Sequence, residues 1–185
     1  MSDEQVSITA NPTPNPDALK FIVDRQIVEG EAVSIHSQAD AKGSLLAEKI
    51  FELGGVKQLF AYQNFVTVTK DNDMPWQEFA RAIGKILRAQ IQSGVKPYFL
   101  PADAISGGGQ DDEKVSIIKS VLDEIRPMVA LDGGNIVFAG YSNGVVQLMM
   151  QGSCAGCPSS TMTLKAGIEN RLREVLPEVR DVVAI

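Results

Sequence analysis

Cys154 and Cys157 are the only cysteines in the 185-residue chain, and they lie in one stretch, Gly152–Ser160, GSCAGCPSS. Two thiols at this spacing can pair as a redox dithiol, ligate a metal, or fill space as small core residues. A proline follows directly, and an apolar pattern after it (Leu164, Ile168, Leu172, Val175, Leu176) marks a helix. The start of that helix favours thiolate over thiol, so the reading predicts a depressed pKa at Cys157. Gly152 and Gly156 let the backbone bend. The small Ala155 is expected to leave both thiols open to an approaching partner. The count of donors then matters. Zinc and iron–sulfur clusters usually take four ligands, and one chain supplies two thiolates. The single histidine, His36, falls on an expected strand far away in the sequence, where it reads as a solvent-facing or core residue. The sphere closes if two chains each lend one CxxC across a two-fold axis. A dithiol oxidoreductase and a structural zinc dimer stay open on these residues alone.

The elements that must position the cysteines are legible. Val115, Ile118, Leu122, Ile125 and Val129 form one apolar stripe at helical spacing, which Leu131-Asp132-Gly133-Gly134 is expected to end. Asp132 and the two glycines read first as a helix stop. NIVFAGY and GVVQLMMQG read as strands, joined at Ser142-Asn143-Gly144 by a strong hairpin signal. The cysteine turn, its helix and a closing strand, VRDVVAI, complete the order α-β-β-α-β. Lys165 and Arg171 read as a solvated helix face.

Upstream, ANPTPNPDALKFIVD opens with Pro12, Pro14 and Pro16 and must be extended or turned. Residues 18–24 and 32–37 read as strands, joined through the Glu29-Gly30 region. Ser44 is placed to cap a helix to Leu53. A hairpin turns at Gln63-Asn64, and a helix begins at Pro75, with Trp76 and Phe79 in its core stripe. This part shows no acid pair, no nucleophile–base set and no phosphate-cradling loop. Gly107-Gly108-Gly109 lacks the strand and helix that such a loop needs. Chemistry is therefore expected at the cysteines and not in an enzyme active site. The fold class is α+β, two small α/β-layer domains: residues 1–100, a Gly-rich flexible linker at 101–112, and the cysteine-bearing domain at 113–185.

Bulk properties agree with that division. Apolar residues make up 44% and charged residues 22%, ordinary for a globular protein. From residue 112 onward there are 7 basic and 9 acidic residues, which leaves −4 of the net −6 to the first part. A chain with this balance is a poor match to nucleic acid. It holds no apolar run long enough to cross a membrane. Its N-terminus, MSDEQVSITA, resembles neither a secretory nor a transit segment. The expected setting is a reducing cytoplasm, or the mitochondrial matrix if a transit peptide has been removed.

From Leu122 to the end, the sequence resembles the C-terminal domain of NifU, the Nfu-type iron–sulfur scaffold. The markers are DEIRP, DGG, the hairpin, the run G-x-C-x-x-C-P-S-S-T-x-T-L-K, and the closing PEV strand. The first part, from ITANPTPNPDALKF to MPWQEFARAIGKIL, is similar to the N-terminal domain of Nfu proteins. One position departs: Asn135 follows DGG where an acid is frequent in the family. The resemblance implies a [4Fe–4S] cluster, held by Cys154 and Cys157 from each of two subunits and passed to apo-proteins. It implies cluster-assembly donors and apo iron–sulfur clients as partners, a homodimer when loaded, and a scaffold or carrier role in place of catalysis. The first domain is then expected to select clients or donors.

Overall fold

The computed structural model describes residues 6–71, 73–96, 98–99, 113–155 and 158–185, with backbone alone for 158–160. The expected linker, 101–112, lies outside the described residues, and so does Cys157. The chain divides into two units, Met1–Ala104 and Ile105–Ile185. The fold is α+β.

The first unit is a five-stranded antiparallel sheet with helices. Its strands are β1 (Ile8–Pro12), β2 (Ala18–Val23), β3 (Val33–Ile35), β4 (Val56–Tyr62) and β5 (Phe65–Lys70). The helices are α1 (Leu45–Phe51) and α2 (Trp76–Gln92). Sheet order is β1-β2-β5-β4-β3. The strands expected at 18–24 and 32–37 are therefore not neighbours, because β5 and β4 lie between them. The turn at Gln63-Asn64 helps to decide this. The Gln63 carbonyl accepts from the N–H of Ile27 (2.7 Å) and Val28 (2.9 Å), and Asn64 Nδ2 donates to the Val23 carbonyl (3.1 Å). The hairpin thus grips the end of β2.

The proline-rich opening is a knot of hydrogen bonds between β1 and β2. Thr13 Oγ1 donates to the carbonyls of Asn15 and Ala18, and the buried Asn15 accepts from the Asp17 N–H. Trp76 closes over it, its indole N–H donating to the Pro16 carbonyl at 2.9 Å. Phe79 is fully buried, as expected, whereas Trp76 is half-buried with that polar task. Phe21, Phe79, Ile83 and Leu87 anchor the core between sheet and helices. Ser44 holds the N-cap position of α1 without a side-chain capping bond. His36 is exposed.

The second unit runs α3 (Glu113–Leu131), β6 (Gly134–Ser142), β7 (Val145–Gly152), α4 (Pro158–Val175) and β8 (Asp181–Ala184). This is the order α-β-β-α-β. Asn143 (φ 52°) and Gly144 (φ 81°) are both left-handed, which suits a two-residue hairpin turn. β8 pairs parallel to β7, so the sheet order is β6-β7-β8 and α4 is the crossover. Ile118, Leu122, Ile136, Leu148, Leu172 and Val182 fill the core. Lys165 and Arg171 are engaged within the fold. Lys165 pairs with Asp181 (3.0 Å), and Arg171 bridges Glu124 on α3 (3.1 Å) and Glu174 (2.8 Å). The Arg171–Glu124 bond ties α4 to α3.

Candidate cluster site

Four element ends converge at one end of the second unit: the close of α3, the start of β6, the end of β7 and the start of α4. Gly134 pairs with Gly152 where the hairpin ladder begins, and Gly152 is left-handed (φ 66°). The chain then turns, with the Ala155 N–H donating to the Gly152 carbonyl at 3.1 Å. Ser153, fully buried, ties the turn to the end of α3. Its N–H donates to the Gly133 carbonyl (3.2 Å) and its hydroxyl to the Asp132 carbonyl (2.5 Å). From the other side, Thr161 Oγ1 on α4 donates to the Cys154 carbonyl (3.1 Å).

Cys154 is buried, 6% exposed, and part of the core cluster. This corrects the expectation of an open thiol: small neighbours in sequence do not expose a side chain that folds back onto the sheet. Its sulfur faces Gly134. A Cβ at that position would stand 2.4 Å from Cys154 Sγ and 3.1 Å from the Gln151 carbonyl oxygen. Gly134 is therefore more than the helix stop that DGG suggested; it is the floor on which the thiol rests. Sequence reasoning missed that role, although a second glycine after the stop was the available signal. Neighbouring Asn135 pairs across the strands with Gln151 (Nδ2 to Oε1, 3.1 Å), so the departure from the family pattern is filled by a neutral amide bond.

Burial pushes the Cys154 thiol above its ordinary range, opposed by the Ser153 hydrogen bond, with the Asp132 carboxylate adding to the rise. The depressed pKa expected at Cys157 falls on a residue outside the described ones. In sequence, Cys157 directly precedes the first residue of α4. Among the described residues, no group of three or more His, Cys, Asp or Glu side chains is placed to hold a metal.

Large apolar side chains surround this end. Leu131, adjacent to Asp132, is 77% exposed, and Met162, adjacent to Thr161, is 73% exposed. Met128, one turn before Leu131, is exposed as well.

The NifU-like domain family matches residues 118–183, and the family described as scaffold protein Nfu/NifU N terminal matches residues 8–94. A human relative, "NFU1 iron-sulfur cluster scaffold homolog, mitochondrial", is 39% identical over 95% of this chain and 70% of its own length. The chain belongs to the Nfu/NifU family. An Arabidopsis thaliana relative, "NifU-like protein 4, mitochondrial", is 38% identical over 95% of this chain and 64% of its own. The chain thus spans about two thirds of the length of such relatives. A NifU-like protein from Saccharomyces cerevisiae, solved by solution NMR, is 28% identical over 51% of this chain and 85% of its own, with a TM-score of 0.46. Within the Nfu/NifU family frame, DEIRP also gains a structural meaning. Pro127 lies inside α3, and Arg126 Nε donates to the Ile136 carbonyl at 3.4 Å, which draws the last turns of the helix toward β6.

Proposed function

We propose that this Nfu/NifU-family chain is a scaffold and carrier for an iron–sulfur cluster, which it holds through Cys154 and Cys157 and hands to apo-proteins. The observation that carries the reading is the site's half-complement: two cysteines per chain, of which Cys154 sits at the junction of four element ends. Four thiolates are the common set for a [4Fe–4S] cluster, so a second copy completes the sphere. The exposed Leu131, Met162 and Met128 offer apolar surface around the turn and support a seam there. The cluster is cargo. The chain's own part is to present thiolates, exclude water with the surrounding apolar side chains, and release the cargo to a better-liganded client. Cys154 must give up its proton and leave its seat on Gly134 as iron binds, and that cost keeps the hold exchangeable.

The first unit serves as the module that selects donors or clients, joined through the stretch 101–112. The names of the relatives, which read mitochondrial, support a mitochondrial setting over the cytoplasm. Among the described residues, no helix is long and apolar enough to cross a membrane.

Anaerobic reconstitution with iron and sulfide tests the proposal. The expected product holds about four irons per two chains and has the mass of a dimer. A loaded species with the mass of one chain and no added thiol would overturn the shared site. Reduction of insulin disulfides with a colourless product would instead establish the dithiol oxidoreductase.

A further inference from the structure

The first unit carries a basic cleft beside a free sheet edge, and its chemistry differs from that of the rest of this acidic chain. Among the described residues, β1 is an edge strand, paired only with β2. The Asp24 N–H donates to the Ser7 carbonyl (3.1 Å), so Ser7 and Asp24 form a hydrogen-bonded pair. Antiparallel alternation then makes Thr9–Ile22 and Asn11–Lys20 the bonded pairs, and turns the N–H and C=O of Ile8 and Ala10 outward. Pro12 has no N–H and ends the usable edge. The side chains of Ile8 and Ala10, with Phe21 behind them, line a cleft whose other wall is α2.

That wall is cationic. Arg81, Lys85 and Arg88 recur at i, i+4 and i+7, all exposed, and all line the cleft. None forms an ion pair with a carboxylate among the described residues, whereas Arg25, Lys96, Lys165 and Arg171 all do. Arg88 Nε makes a long bond to the Val6 carbonyl (3.4 Å). Among the described residues, the acids nearby form no ion pair with the stripe. Glu78 lies one turn earlier on α2. The Asp24 carboxylate is taken by the Ser7 N–H (2.8 Å) and by Arg25 (3.0 Å). Between Ala80 and Lys85, Gly84 has open space where a Cβ would stand, so a ligand chain can approach the helix closely.

We infer that the β1 edge and the Arg81–Lys85–Arg88 face form a docking groove for an extended acidic segment of a partner protein, which adds to the sheet as a strand. Main-chain bonds to Ile8 and Ala10 hold the segment, its acidic side chains at alternate positions face the cleft and its cations, and the intervening ones face the other side of the sheet. Charge complementarity sets the sign of the partner. This rests on the reading of the first unit as a selection module, and names the surface and the chemistry that select.

The test uses the full-length chain at low ionic strength and a fluorescein-labelled seven-residue peptide alternating glutamate and valine. Anisotropy is expected to show binding, and NMR is expected to show the amide shifts of Ile8 and Ala10 moving with it. The triple variant Arg81→Glu, Lys85→Glu, Arg88→Glu should weaken the peptide about tenfold or more and leave the melting profile in place. Ala10→Pro, which removes one outward N–H, should weaken it independently. No binding by the wild type, equal binding of a lysine–valine peptide, full affinity in the triple variant, or edge-to-edge self-association in its place would each overturn the groove. Deleting residues 1–100 separates the two ideas: if client capture is lost on deletion but survives the triple variant, the module stands and the groove falls.

Discussion

The glycines of the two sheets differ in the room around them, although Gly167 on α4 of the second unit has open space as well. In the first unit, a Cβ added at Gly30, Gly54 or Gly84 would meet nothing within 4 Å. In the second, a Cβ at Gly134 would collide with Cys154 Sγ, and one at Gly144 would stand 2.7 Å from the Glu178 carbonyl oxygen. The larger sheet spends its glycines on turns and a helix face with room to spare. The smaller sheet spends them on close backbone approach, and one of those approaches seats the thiol. The contrast teaches where this chain trades tolerance for chemistry: the described site is built by packing, so it is expected to be the less forgiving half.

The largest expected effect is loss of cargo. Cys154→Ser or Cys157→Ser should each abolish retained iron and sulfide after reconstitution, read by metal analysis, because each change removes two ligands from a pair of chains. Retention of a full complement by either variant would end the ligand assignment. Next come the cores. Phe21→Ala and Leu122→Ala should each cost about 3–5 and 2–5 kcal/mol respectively, and each should lower a different transition in calorimetry, since the residues belong to separate clusters. A single shared transition that moves in both variants would dissolve the division.

The glycine contrast itself is tested by a matched pair. Gly134→Ala should destabilise the apo chain by about 1–3 kcal/mol, as overpacking does. Gly84→Ala should instead stabilise it by about 0.5–1 kcal/mol, because α2 gains helix propensity and the space is open. Equal effects of the two changes would refute the comparison.

Protonation gives a smaller effect. Burial raises the Cys154 pKa in the folded state, so the folded chain keeps its proton where the unfolded chain has begun to lose it. The contribution is complete below the ordinary thiol range, near pH 8.5, and is lost as pH rises through the elevated folded value. Denaturation of the apo chain between pH 7 and 10 should show this slope, and Cys154→Ser should flatten it. The smallest effect is expected from Trp76→Phe, which removes the bond to the Pro16 carbonyl at a cost of about 1 kcal/mol.

The second unit was legible almost element by element, because its signals are local. The 3.6-residue stripe of α3, the Asn143-Gly144 turn and the proline that opens α4 each act within a few residues of themselves. The first unit was legible as elements but not as a sheet. β1 was read only as extended or turned, since three prolines hide a strand that needs donors on alternate residues alone. The pairing of β2 with β5 depends on Gln63 and Asn64 meeting residues about 40 positions away, and no periodicity carries that information. At the site, the cysteine spacing was visible, but the burial of Cys154 and the purpose of Gly134 were not. Both arise from contact across 20 residues of chain.

Residue type and spacing alone determined the number of thiols, their place between a strand and a helix, and the shortfall of ligands in one chain. Tertiary structure alone decided which way Cys154 faces. Direction is a property of packing: a turn can aim its side chain outward or inward at similar local energy, and Gly134, by having no Cβ, leaves the inward seat free.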